Sequence, residues 1–182
     1  FFNVLKIMNE NSKLFDNRKL FINSIPTVII KEEEFNDLYV QYKDVMKNLV
    51  IEITENGMQS EDSCETVHKY MKKSGCELAL DDYGTGYSNA STLLNNSPHY
   101  IKIDHSIIMG IDTDSRKQQI VSNTVSFGNN HGMKILAEGV ETPDELQMVI
   151  QLGCHLIQGF YTGRPNRVIA DSISADVEDE IM

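Results

Sequence analysis

Six short apolar runs punctuate this chain, and each ends in a polar side chain or carries one near its end. In order they are Leu20-Phe-Ile-Asn23, Val50-Ile-Glu52-Ile-Thr-Glu55, Leu78-Ala-Leu-Asp81-Asp82, Tyr100-Ile-Lys102-Ile-Asp104, Ile135-Leu-Ala-Glu138 and Leu156-Ile-Gln158. Apolar runs this short predict buried parallel strands. Where a period of two is visible it sorts the faces. Ile51 and Ile53 point towards packed helices while Glu52 and Thr54 point the other way, and Ile101 and Ile103 alternate in the same sense with Lys102 and Asp104.

Between the strands the spacing changes to that of helices. Phe2, Val4, Leu5 and Met8 read as the tail of an amphipathic helix within residues 1–17, and Phe35, Leu38, Tyr39, Tyr42 and Val45 define a helix over 32–47. Helices are predicted from about Ser60 to Ser74, stopped by Gly75, and over 114–130 with Ile120, Val121 and Val125 inward, ended by Gly132. Thr142-Pro143-Asp144-Glu145 combines an N-cap, a first-turn proline and an acid at the third position, a helix start whose run stops at Gly153. A polar segment, 166–182, closes the chain as a C-terminal tail or helix.

The gaps between Asn23, Glu52, Asp81, Lys102, Glu138 and Gln158 are 29, 29, 21, 36 and 20 residues, about one βα unit each. Parallel strands spaced in this way deliver the residues at their C-terminal ends to one rim, so the pattern predicts an α/β fold of barrel type with its chemistry at that mouth. The 182 residues suit a single domain, residues 1–182, and the 41% hydrophobic and 24% charged composition is ordinary for a globular chain. No apolar run approaches the roughly 20 residues of a membrane span, so a cytoplasmic protein, or the cytoplasmic domain of a larger signalling protein, is expected. A net charge of -11 argues against binding duplex nucleic acid. Cys64, Cys76 and Cys154 show no CxxC spacing and read as idle reduced thiols.

Asp81-Asp82 is the sharpest chemical signal. Two adjacent carboxylates are costly in a dry site unless a cation neutralises them, although one such pair alone fits a hydrated turn equally well. The recurrence of polar tips on the other strands favours the metal. Lys102 faces the same interior as the acids, and a buried lysine needs a partner. The loop Tyr83-Gly84-Thr85-Gly86-Tyr87 has two glycines that permit backbone conformations other residues resist. His68 reads as a surface residue, and His131 and His155, without ligand spacing, as structural.

Taken together, Ile51-Glu52-Ile-Thr-Glu55, Asp81-Asp82-Tyr-Gly-Thr-Gly-Tyr-Ser88, Ile101-Lys102-Ile-Asp104, Ala137-Glu138-Gly-Val-Glu141-Thr142 and Ile157-Gln158-Gly-Phe-Tyr161 resemble the EAL-domain family of cyclic-di-GMP phosphodiesterases, over about residues 19–165. The resemblance implies a modified (β/α)8 TIM-like barrel that hydrolyses cyclic di-GMP to linear pGpG with two divalent cations, Mg²⁺ or Mn²⁺. On the matching positions Asn23, Glu52 and Asp81 would hold one metal, and Asp81 would bridge to a second that Asp82 and Glu138 help bind. Lys102 would contact the attacking water, with Glu138 and Gln158 completing the catalytic group and Glu141 beside the substrate. Glu55 would brace the loop through Gly84, Thr85 and Gly86 that closes over the metals. Tyr83 stands where the family usually has Phe.

The resemblance also places the glutamate of the family's Glu-Ala-Leu motif on a strand before Asn23, and no such tripeptide stands in this chain. Glu77-Leu-Ala-Leu80 is an echo on a later strand, and the family's nearby arginine has no counterpart. The expectation is therefore an EAL-type domain incomplete at its N-terminus, with about six of eight strands and the missing glutamate supplied by sequence outside the chain. As written, the chain is expected to bind metal weakly and hydrolyse poorly. Expected partners are cyclic di-GMP, a second copy in a homodimer, and sensory or GGDEF domains fused outside the chain. The competing expectation is a catalytically inactive EAL-like sensor of cyclic di-GMP or a protein-interaction scaffold.

Overall fold

The computed structural model describes residues 1–23, 30–54, 61–85, 93, 96–167 and 172–181. The chain folds as two compact units, residues 1–80 with 90–98 and residues 81–89 with 99–182. In the first, α1 (Phe2–Glu10) leads through a 3-10 turn (Ser12–Phe15) to β1 (Leu20–Asn23), followed by α2 (Glu32–Met46), β2 (Leu49–Ile53), α3 (Glu61–Ser74) and β3 (Glu77–Tyr83), whose last three residues belong to the second unit. The strands are parallel and in step: Asn23 lies opposite Glu52, and Ile53 opposite Leu80. Leu49, Val50, Leu78 and Ala79 of the strands are fully buried, as are Leu5, Met8 and Met46 of the helices, each such side chain larger than alanine contributing about 1.5–3 kcal/mol.

One polar and one aromatic device fix this unit where aliphatic packing cannot choose a direction. Asn48, buried just before β2, donates from Nδ2 to the carbonyls of Phe15 and Arg18, while its own carbonyl accepts from the Leu20 amide at 2.9 Å. The entry to β1 is thereby tied to the entry to β2. Between the helices, the buried Phe35 ring and the Tyr70 ring stack at 4.0 Å and join α2 to α3.

The second unit holds β4 (Tyr100–Ile103), α4 (His105–Ile108), α5 (Ser115–His131), β5 (Lys134–Glu138), α6 (Pro143–Gln151), β6 (Leu156–Gln158) and α7 (Ala175–Ile181). Its strands are again parallel, with Ile103 opposite Ala137 and Glu138 opposite Gln158. Ile101, Ile103, Ile108, Ile135 and Val149 have no exposed surface. No helix among the described residues is long and apolar enough to cross a membrane. Burial raises the Cys76 thiol and pushes Cys154 up to about 12, so neither is a ready thiolate.

The βα rhythm lies where the hydrophobic pattern put it, with two local differences. The buried stripe of α5 is Val121, Thr124, Val125 and Gly128, so Ile120 stands one position round the helix and is 42% exposed. Gly128 decides that phase, because a Cβ there would meet the Met133 carbonyl and the Ile135 side chain at 3.0 and 2.7 Å. The four-residue α4 is too short to show a period, and it forms because Asp104 accepts from the Ser106 amide at 2.9 Å.

The capping box at the start of α6 has a second role. Glu145, 5% exposed, accepts from the Glu141 and Thr142 amides through Oε2 at 2.9 and 3.1 Å and from the Gly110 amide through Oε1 at 2.8 Å. Burial pushes its carboxyl upward, but these donors prevail and hold it below the usual glutamate value. A depressed pKa stabilises the fold above the unfolded value and loses that stabilisation as pH falls through the folded one. Glu145→Gln is therefore expected to cost about 1–3 kcal/mol at pH 7, with the gap to wild type closing below about pH 4, as urea denaturation at both pH values will show.

Candidate metal centre

Consecutive side chains on a flat strand face opposite ways, which would separate Asp81 from Asp82. Near the end of β3 the backbone breaks that alternation, because Asp82 takes a left-handed conformation with φ +56°. The Thr85 amide and hydroxyl turn back to the Asp82 carbonyl at 3.4 and 3.1 Å, closing the turn. As a result Asp81, Asp82 and Glu138 each present a carboxylate oxygen within 4.8 Å of the others.

Lys102 reaches this cluster from β4. Its Nζ stands 2.7 Å from Asp81 Oδ1 and 2.7 Å from Glu138 Oε1, with 5% of the side chain exposed. Three carboxylates against one ammonium leave a negative excess when all are ionised. Partial burial, then repulsion from Asp81 and Asp104, raises the Asp82 carboxyl above its ordinary value, against the pull of Lys102. Asp104 escapes the same fate: burial works against it, but the Ser106 hydrogen bonds keep it low. Hard oxygen donors converging with surplus negative charge suit a hard divalent cation and offer nothing to a soft metal.

Beside the cluster is a pocket of about 420 Å³ lined by His105, Glu141, Gln158, Phe160, Arg164 and Pro165 together with Gly139, Gly159 and Gly163. Its rim is made of backbone. The Val140 amide donates to the Gln158 carbonyl and the Tyr161 amide to the Val140 carbonyl, both at 3.1 Å. A Cβ at Gly159 would overlap the Val140 main chain, so only glycine permits this approach. The Arg164 guanidinium lies 4.5 Å from the centre of the Phe160 ring.

Of the residues singled out in the sequence, Asp81, Asp82, Lys102 and Glu138 come together in the second unit, with Gln158 beside Glu138 and an exposed Glu141 lining the pocket. In the first unit Asn23, exposed, stands beside Glu52, 6% exposed. Gly84 is half-buried with φ +110°, while Glu55 and Gly86 lie outside the described residues. His68 is half-buried, with Nε2 3.2 Å from the Asn96 carbonyl, and His155 Nδ1 accepts from the Ile135 amide at 3.0 Å. Phe160 stood out only as part of a motif, with no role of its own, and His105 and Arg164 carried no readable signal. The nearest to one was the Asp104-His-Ser106 cap, which marks a helix start at the pocket edge.

A chain with this rim and this parallel α/β architecture belongs to the EAL-domain family, whose model matches residues 2–165. It is 31% identical over 143 residues, 77% of this chain, to a protein of Vibrio parahaemolyticus named cyclic di-GMP phosphodiesterase TpdA, and spans 25% of that protein's length. Among solved structures it is similar to a standalone EAL protein of Vibrio cholerae bound to c-di-GMP, with TM-score 0.80 and 27% identity over 96% of this chain and 76% of that one. It is also similar to Klebsiella pneumoniae BlrP1 in complex with manganese and cyclic di-GMP, with TM-score 0.74 and 28% identity over 89% of this chain and 42% of the other.

Two outcomes follow from the charge balance. Lys102→Met leaves buried carboxylates without their cation and is expected to destabilise the metal-free protein by about 3–5 kcal/mol in chemical denaturation. Asp82→Asn is expected to act in the opposite direction. A raised folded pKa means the ionised form opposes folding at neutral pH, so the amide raises the melting temperature at pH 7 and ceases to help below about pH 4, where the acid is protonated.

Proposed function

We propose that this chain carries a metal-dependent site that hydrolyses cyclic di-GMP to linear pGpG in bacterial second-messenger signalling. The observation that carries the reading is the convergence of Asp81, Asp82 and Glu138 around Lys102 in a chain of the EAL family. In this reading Asp81, Asp82 and Glu138, with Asn23 and Glu52, hold two divalent cations, Mg²⁺ or Mn²⁺. When bound, such ions activate water and neutralise the phosphate oxygens. Lys102 keeps Asp81 and Glu138 turned to one point and contacts the attacking water. Gln158 completes the catalytic group, and Glu141, with the loop from Gly84 to Gly86 braced by Glu55, adjoins the substrate. The pocket beside them, with its Phe160 face and Arg164 charge, offers a purine ring a surface and a phosphate a counter-charge.

The chain spans about a quarter of the length of curated relatives that it matches, which supports a module working beside further domains; in this reading those are sensory or GGDEF domains, the setting is the cytoplasm and the module pairs as a homodimer. A second reading, a silent cyclic-di-GMP sensor or scaffold, draws on the absence of a Glu-Ala-Leu tripeptide from this sequence. Release of pGpG with Mn²⁺ by the full-length protein, compared with its Asp81→Asn variant, separates the two. Loss of an outer-sphere partner already costs 10–100-fold, so loss of a ligand is expected to lower turnover by at least about 100-fold. Binding of the dinucleotide without turnover by the wild type would select the sensor.

A further inference from the structure

β4 and β5 stay in register as far as Ile103 opposite Ala137 and then part. The Lys102–Glu138 ion pair bridges the two near that point, and beyond it so does His105, the first residue of α4, whose Nδ1 lies 3.1 Å from the Gly139 carbonyl oxygen. A carbonyl oxygen only accepts, so the proton is on Nδ1. The contact is intimate. Gly139 has φ +70°, and a Cβ there would lie 2.7 and 2.8 Å from Cγ and Cβ of His105.

The peptide between Gly139 and Val140 is therefore held from two directions: its carbonyl by His105, and its N–H by the Gln158 carbonyl at 3.1 Å. Glu138 immediately precedes this peptide and Gln158 lies opposite Glu138. Gly139, the most permissive residue type, is the link that could otherwise swing. Released from His105, the peptide would lose one of these two restraints.

We propose that His105 is a positioning residue: by donating from Nδ1 to the Gly139 carbonyl it fixes the Gly139–Val140 peptide and so the direction in which Glu138 meets Asp81 and Asp82. The effect on metal affinity rests on the reading of the acidic cluster as a metal site, whereas the restraint on the peptide does not.

Three substitutions separate this role from general packing. Asn places its amide nitrogen where Nδ1 stood, Gln carries its donor one atom further out, and Ala has none. In hydrogen exchange on the metal-free protein, the Val140 amide is expected to exchange about 10-fold faster in His105→Ala and His105→Gln, and within about 3-fold of wild type in His105→Asn. Calorimetric titration with Mn²⁺ alone is expected to show about 10-fold weaker binding for Ala and Gln and near-native binding for Asn. Wild-type exchange at Val140 in His105→Ala, or an Asn variant as impaired as Ala, overturns the proposal. A wild-type protein that takes up no Mn²⁺ defeats the metal reading, and the Val140 exchange still decides the role of His105.

Discussion

Everything at the rim depends on one buried ammonium. Lys102 is 4% exposed, and the two carboxylates it touches come from separate strands, one after it in the sheet and one before it in sequence. A lysine in that position is tolerated only because Asp81 and Glu138 compensate it, and they in turn can approach each other only because it is there. This mutual requirement ties β4, β5 and the end of β3 to a common point. Apolar packing of Ile101, Ile103 and Ile135 could place the strands, but it is indifferent to where their polar tips end.

Around that point the structure uses directional bonds wherever the chain leaves regular geometry. The turn after Asp82 is closed by Thr85, α4 is started by Asp104, and α6 is started by Thr142 and Glu145. Each of these satisfies backbone groups that would otherwise be orphaned near a polar cluster. Glu145 goes further and ties the loop at Gly110 to the segment carrying Glu141. The scaffold of the pocket is thus a chain of caps.

Much of this was legible in the residues. The strands of both units follow directly from short apolar runs, because burial on both faces leaves little choice of residue. The period of two in Tyr100-Ile-Lys102-Ile placed Lys102 opposite the isoleucines, and its ion pairs satisfy the need for a partner that its burial created. The phase of α5 was misread at Ile120 because periodicity weighs hydrophobicity, whereas Gly128 sets the approach by size. The pairing of Asp81 with Asp82 on one side depends on a single positive φ, which side-chain pattern does not encode. His105 escaped notice for a related reason: its role arises from a contact with a carbonyl 34 residues further along the chain.

The rim between Gly139 and Gly159 has an evolutionary corollary. There the lip of the cavity is built from main-chain amides and carbonyls, with Val140 threaded between two residues that have no side chain to lose. A wall of that kind is inherited as a shape rather than as a set of chemical groups. The side chains projecting from it, such as Phe160 and Arg164, are free to drift and retune what the cavity prefers while its outline persists.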